Sequence, residues 1–152
     1  MAKDRPVPNL EEDAFVALVR TAGHVQRRAA EMFKRHGLSP TQYNALRILR
    51  GAGAAGLACS EAGKRMLNHD PDITRLLDRL EARGLIQRAR GKDDRRVIRA
   101  RITPSGLDLL RNLDLPVSAF QRQLLGHMGA RRLQSLIKLL ELALGNQGKL
   151  SA

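Results

Sequence analysis

The sequence predicts a mainly α-helical protein with one small β-hairpin, and three observations carry that expectation. Apolar residues recur at helical spacing through most of the 152 residues, one stretch alternates at period two, and Ser, Thr, Asp, Pro and Gly stand where caps and turns belong. With 43% hydrophobic and 28% charged residues, a chain of this length can bury its own core as a single domain, 1–152.

The elements follow in order. After a polar, proline-containing start, Phe15, Leu18, Val19, Ala22, Val25, Ala29, Met32 and Phe33 mark a long first helix that Gly37 can end. Ser39, Pro40 and Gln42 then supply an N-cap, a proline at the first helical position and a glutamine able to reach back, so a second helix begins here. Its buried stripe is Tyr43, Leu46 and Leu49, and residues 51–56 read as a loop without core content. A short helix is expected over about 60–67. Asp70 is then expected to cap a stronger helix with Pro71 at its first position and Gly84 at its stop. Ile73, Leu76, Leu77 and Leu80 form its apolar stripe, which leaves Thr74, Arg75, Asp78 and Arg79 outside. Two short helices about a tight break, the second presenting Thr and Arg, give a helix-turn-helix reading, a module whose second helix enters the DNA major groove.

Leu85 to Gln87 and Val97 to Ile102 read as strands joined by turn residues Gly91, Lys92, Asp93 and Asp94, a hairpin with a charged tip. Thr103 and Pro104 open another helix, striped by Leu107, Leu110, Leu113, Val117, Phe120, Leu124 and Met128, in which Pro116 predicts a kink or break. A last helix over about 130–144 carries Leu133, Leu136, Ile137, Leu140 and Leu144. The terminal helices hold more apolar surface than so small a domain needs, which favours a two-fold dimer.

Charge narrows the function classes. The formal net charge is +12, and the stretch from Asp70 to Thr103 alone holds ten Lys/Arg against six Asp/Glu. Such an excess suits a polyanion, because each cation placed on a phosphate releases condensed counterions. Aromatics are only 3%, and none lies among the basic residues of the hairpin tip, so base stacking on aromatic platforms is poorly supplied. The lone Cys59 cannot form an internal disulfide and reads as a small buried hydrophobe more readily than as a redox sensor. No N-terminal apolar run resembles a signal peptide, and no stretch approaches the roughly 20 apolar residues of a membrane span, so a cytoplasmic protein is expected. His24, His36, His69 and His127 are too scattered for a zinc motif, and no nucleophile–base set or phosphate-cradling glycine loop is visible. Neither an enzyme nor a cofactor is expected.

The element order, with LLDRLEARGLI and DDRRVIRARIT, resembles the MarR family of bacterial transcription regulators over almost the whole chain. The most specific match is Asp94, Arg96, Ile102, Thr103 and Gly106, where the family shows Asp-x-Arg, a strand ending in Leu-Thr, and a helix with an early glycine. Thr74 and Arg75 match a common threonine–arginine pair. Ala58, Ala62 and Gly63 depart from the usual capping threonine and from Leu and Ala, which predicts a weaker supporting helix, glycine costing about 0.8–1.0 kcal/mol against alanine. The resemblance implies a winged helix-turn-helix lobe over 38–103 and a helical dimerisation lobe from 10–37 and 104–145. It further implies a homodimeric, sequence-specific regulator of double-stranded DNA, a ligand-responsive repressor on a pseudo-palindromic operator. A nonspecific architectural DNA- or RNA-binding protein is the alternative with the same charge.

The DNA-contact candidates are Thr74, Arg75 and Arg79 in the major groove, with His69 and Asp72 open between contact and local structure. Arg90 and Lys92 are candidates for phosphate. Of Arg95 and Arg96, one is expected in the minor groove and the other as a brace on a carboxylate; the resemblance implies Arg95 for the groove and Arg96 for the brace. Effectors of the family bind between the DNA-binding lobe and the dimer helices, which makes His24, Arg28, Tyr43 and Arg47 candidates for a small anionic aromatic ligand.

Overall fold

The computed structural model describes residues 9–67, 72–91 and 94–145, and expectations for His69, Asp70, Pro71, Lys92 and Asp93 fall outside them. The chain forms two compact units, Met1–Leu110 and Arg111–Ala152.

In the first unit, helix α1 (Leu10–Lys34) starts at Asn9, whose side chain accepts from the Glu12 amide, with Glu11, Glu12 and Asp13 favourably placed against the helix dipole. Phe33 near its end is buried, whereas Phe15, Leu18 and Val19 of the expected stripe are exposed. Helix α2 (Pro40–Gly51) begins with the predicted capping box: Ser39 Oγ accepts from the Gln42 amide at 3.1 Å, and the Ser39 amide donates to Gln42 Oε1 at 3.0 Å. Its inner face, Tyr43, Ala45, Leu46 and Leu49, lies in the core.

Residues 51–56 are more ordered than a plain loop. A 3₁₀ turn (Gly53–Ala55) leads into a two-residue strand β1 (Leu57–Ala58) that hydrophobic alternation is too short to betray. Helix α3 (Cys59–Lys64) follows directly, and Ala58 at its N-cap offers no side-chain bond, as the departure from the family pattern implied. The Leu67 amide donates to Asn44 Oδ1 at 2.9 Å, which fastens the end of this helix region to α2.

Helix α4 (Ile73–Ala82) starts later than expected. Asp72, not Asp70, is the cap: its carboxylate accepts from the Arg75 amide at 3.1 Å. Two aspartates two positions apart satisfy the same sequence rule, and only the backbone decides which one stands three residues before a free amide. Leu76, Leu77 and Leu80 are buried as predicted.

Strands β2 (Ile86–Arg90) and β3 (Ile98–Ile102) form the hairpin, and β1 joins the far side of β3, giving an antiparallel sheet in the order β1-β3-β2. The register pairs Ile86 with Ile102, Arg88 with Ala100 and Arg90 with Ile98. At the exit, Thr103 Oγ1 donates to the Gly84 carbonyl at 2.6 Å and accepts from the Gly106 amide at 3.1 Å. Gly106 is buried there, and a Cβ on it would fall inside van der Waals distance of the Leu85 carbonyl oxygen and of Ile102.

Helix α5 (Pro104–Leu125) runs from the first unit into the second and continues through Pro116 without interruption. The missing amide removes one ladder bond without ending the helix, which stops instead at a 3₁₀ turn (Gly126–Met128), before α6 (Gly129–Leu144). In the second unit Leu113 and Val117 are buried, while Leu115, Ile137, Leu139, Leu142 and Leu144 are exposed.

Candidate nucleic-acid interface

Helix α4 divides its faces sharply. The leucines point into the core, and Thr74, Arg75, Asp78 and Arg79 lie in solvent. Arg75 is held at its own helix start: its Nε lies 3.2 Å from Asp72 Oδ2, beside the capping bond to the other oxygen. Arg75 and Arg79 border a cleft of about 220 Å³ shared with Ser39, Thr41 and Gln42 at the start of α2, so the heads of two helices and two guanidinium groups open on one side.

The hairpin tip carries Arg90 at the end of β2 and Arg95 and Arg96 in the turn, all exposed. Asp94 shapes that turn. Its Oδ1 accepts from the Arg96 amide at 2.9 Å, and its carbonyl accepts from the Val97 amide at 3.1 Å. The bond that residue 96 makes to this carboxylate comes from its main-chain amide.

Three further arginines, indistinguishable from surface charge in the sequence, tie the elements together. Arg88 on β2 donates through Nε to Glu81 Oε2 at 2.9 Å and reaches Asp78 through Nη2, both acids lying on α4. The Arg88 amide also donates to Glu81 Oε1 at 2.8 Å, so one carboxylate receives both main chain and side chain. These donors hold the Glu81 carboxyl below its usual range, and the two acids raise the Arg88 guanidinium further. Arg99 on β3 donates to the carbonyls of Ala55 and Gly56 at 3.2 and 3.0 Å, and Arg83 donates to the Gly37 carbonyl at 2.7 Å. The seven-residue spacing of Glu81 and Arg88 across a glycine turn was the one signal available, and it becomes specific only once β2 is known to fold back along α4.

Cys59 is partly covered, and burial raises its thiol pKa more than the nearby Arg88 charge lowers it. Of the effector candidates, Tyr43 is buried against Phe33, with ring centroids 4.4 Å apart, and the Arg47 guanidinium lies 6.0 Å from the Tyr43 ring centre. His24 is exposed and lines a different depression on α1 with Arg20 and Arg27; Arg28 is half-buried. The geometry joins Tyr43 to Arg47 and places His24 at a separate surface.

A helix-turn-helix whose second helix shows a Thr/Arg face, followed by an arginine-tipped hairpin, defines a winged helix-turn-helix DNA-binding protein. Comparison with known proteins agrees. The MarR family model matches residues 38–98. The crystal structure of a MarR transcription factor from Planctomyces limnophilus is 39% identical, with a TM-score of 0.70, covering 90% of this chain and 99% of that one. The homoprotocatechuate degradative operon repressor of Escherichia coli is 27% identical over 90% of this chain and 93% of its own. A MarR family regulator from Streptomyces coelicolor, solved in complex with DNA, shares the fold with a TM-score of 0.81 at 20% identity, covering 98% of this chain and 95% of that one. The chain belongs to the MarR family of transcription regulators. Its family and fold are those of a regulator and not of an enzyme, and no helix among the described residues is long and apolar enough to cross a membrane.

Proposed function

We propose that the protein is a homodimeric repressor that reads a pseudo-palindromic operator, with α4 of each subunit in a major groove and the hairpin tip in the adjoining minor groove. The carrying observation is the partition of its arginines. Arg83, Arg88 and Arg99 are spent on the scaffold, while Arg79, Arg90, Arg95 and Arg96 stand exposed on α4 and at the tip. Thr74, Arg75 and Arg79 are assigned to bases, Arg90 to phosphate and Arg95 to the minor groove; His69 and Lys92 keep the roles assigned from sequence. The exposed leucines of α1 and α6 support a second copy as the partner, with 10–37 and 104–145 as the dimerisation lobe. Repression is supported by the name of the Escherichia coli relative. Release by a small anionic aromatic effector is proposed near Tyr43 and Arg47, and a thermal shift with phenolic carboxylates that requires Arg47 tests it.

Footprinting on the DNA flanking the protein's own gene is the decisive experiment. Two protected half-sites about one helical turn apart, preferred over random duplex at about 150 mM salt, are expected. Equal binding of every duplex would replace this reading with a nonspecific architectural one.

A further inference from the structure

We propose that Asp72 is a positioning residue for base recognition, holding the Arg75 guanidinium ahead of α4 so that its two terminal nitrogens meet one guanine in each half-site. The inference rests on α4 being the base-reading helix. Both carboxylate oxygens of Asp72 meet Arg75: Oδ1 accepts the Arg75 amide at 3.1 Å, and Oδ2 lies 3.2 Å from Arg75 Nε. Helical side chains lean towards the N-terminus, so Arg75 naturally lies over its own cap. With Nε beside the carboxylate, the Nη1/Nη2 edge is left for DNA, and that edge matches guanine O6 and N7 as a parallel pair.

The arrangement also explains how an acid can sit at the head of a helix that approaches DNA. The negative charge is offset by the guanidinium beside it, and its second oxygen is occupied by a brace instead of facing a phosphate. Arg75 is 76% exposed, so without Asp72 the long side chain would be free to spread over many rotamers, all of which must be given up on binding. The brace makes part of that loss before DNA arrives. Exclusion of water in the groove then strengthens a pair that is weak in the free protein.

The test is selection from a pool of random-sequence duplexes with the full chain, followed by affinities for the selected site with each base pair replaced in turn. Asp72→Asn keeps the cap, since asparagine caps as well as aspartate, and removes the charged brace; Asp72→Ser is a second cap-preserving variant. The wild type should favour guanine at one position of each half-site by about fivefold to 150-fold. Arg75→Ala should abolish that preference alone. Both Asp72 variants should weaken the same preference by about two- to fivefold with an unchanged thermal midpoint, and should do nothing further in an Arg75→Ala background. Tighter binding to all sequences by Asp72→Asn, with preference intact, would mean that Asp72 sequesters Arg75 and would overturn the proposal. So would a changed preference at a different base pair, an unmoved one, or a uniform loss of affinity that tracks a lowered thermal midpoint. A wild type that selects no sequence overturns the base-reading role of α4 as well, which separates that failure from failure of the brace.

Discussion

Replacing Arg88 by methionine keeps most of the side-chain volume and removes the link between β2 and α4. The arginine side chain is 21% exposed, while Glu81 and Asp78 are 36% and 53% exposed. A shielded charge-assisted bond contributes roughly 1.5–3 kcal/mol, and a fully exposed pair roughly 0–1. The Asp78 contact belongs to the second class. The two bonds to Glu81 lie between the classes, and the main-chain bond from residue 88 survives the substitution. The loss is therefore about 2 kcal/mol, which for a chain of this size lowers the thermal midpoint by about 4–8 °C at fixed protein concentration. Urea unfolding of the single variants Arg88→Met and Glu81→Gln and of their double should give a coupling of about 1 kcal/mol or more. Because the folded Glu81 carboxyl is held below its unfolded value of about 4.3, this stability is present above that value and disappears as the pH falls through the lower, folded one. The gap between wild type and Arg88→Met should accordingly close below about pH 4. A coupling under about 0.3 kcal/mol, or a gap indifferent to acid, would refute the account.

Other consequences are simpler to check. Arg95→Ala should weaken operator binding at least about tenfold with the oligomeric state unchanged by light scattering, because the residue is exposed in the turn and has a proposed partner only in the minor groove. Gly63→Ala should raise stability by about 0.5–1 kcal/mol in chemical denaturation, since a Cβ there would touch Ile73 at ordinary distances of 3.5–3.7 Å. Gly106→Ala should lower it by about 1–3 kcal/mol in the same measurement, the added carbon colliding with the Leu85 carbonyl oxygen. Cys59 in the folded protein should be alkylated several-fold more slowly at neutral pH than in urea, because burial keeps its thiol protonated.

The parts of this fold legible in the sequence are those set by near neighbours. Ser39, Pro40 and Gln42 announce α2 because a capping box is a contact across three residues, and the leucines of α4 reveal its buried face for the same reason. Where two local solutions compete, sequence does not choose: Asp70 and Asp72 both fit a cap, and the backbone selects Asp72. Pro116 carries a general penalty, yet the surrounding helix absorbs it, so a rule about isolated prolines overstates the break. The candidate interface divides in the same way. The outer face of α4 and the hairpin tip follow from periodicity, but the scaffold arginines look no different from the rest until α4, β2 and the Gly53–Ala55 turn are brought together. Their partners stand as many as 46 residues away.

The Arg99 bonds carry a lesson about substitution. Two donors of one rigid fork reach two consecutive carbonyls, those of Ala55 and Gly56. An ammonium preserves the charge but cannot place two donors in a fixed plane, so lysine at 99 would leave the formal charge untouched and loosen the hold of β3 on residues 55 and 56. At Arg90, exposed on the neighbouring strand of the same hairpin, lysine would still answer a phosphate as a point charge. Identical residue types within ten positions of each other thus differ in how replaceable they are, according to whether their shape or only their charge is being used.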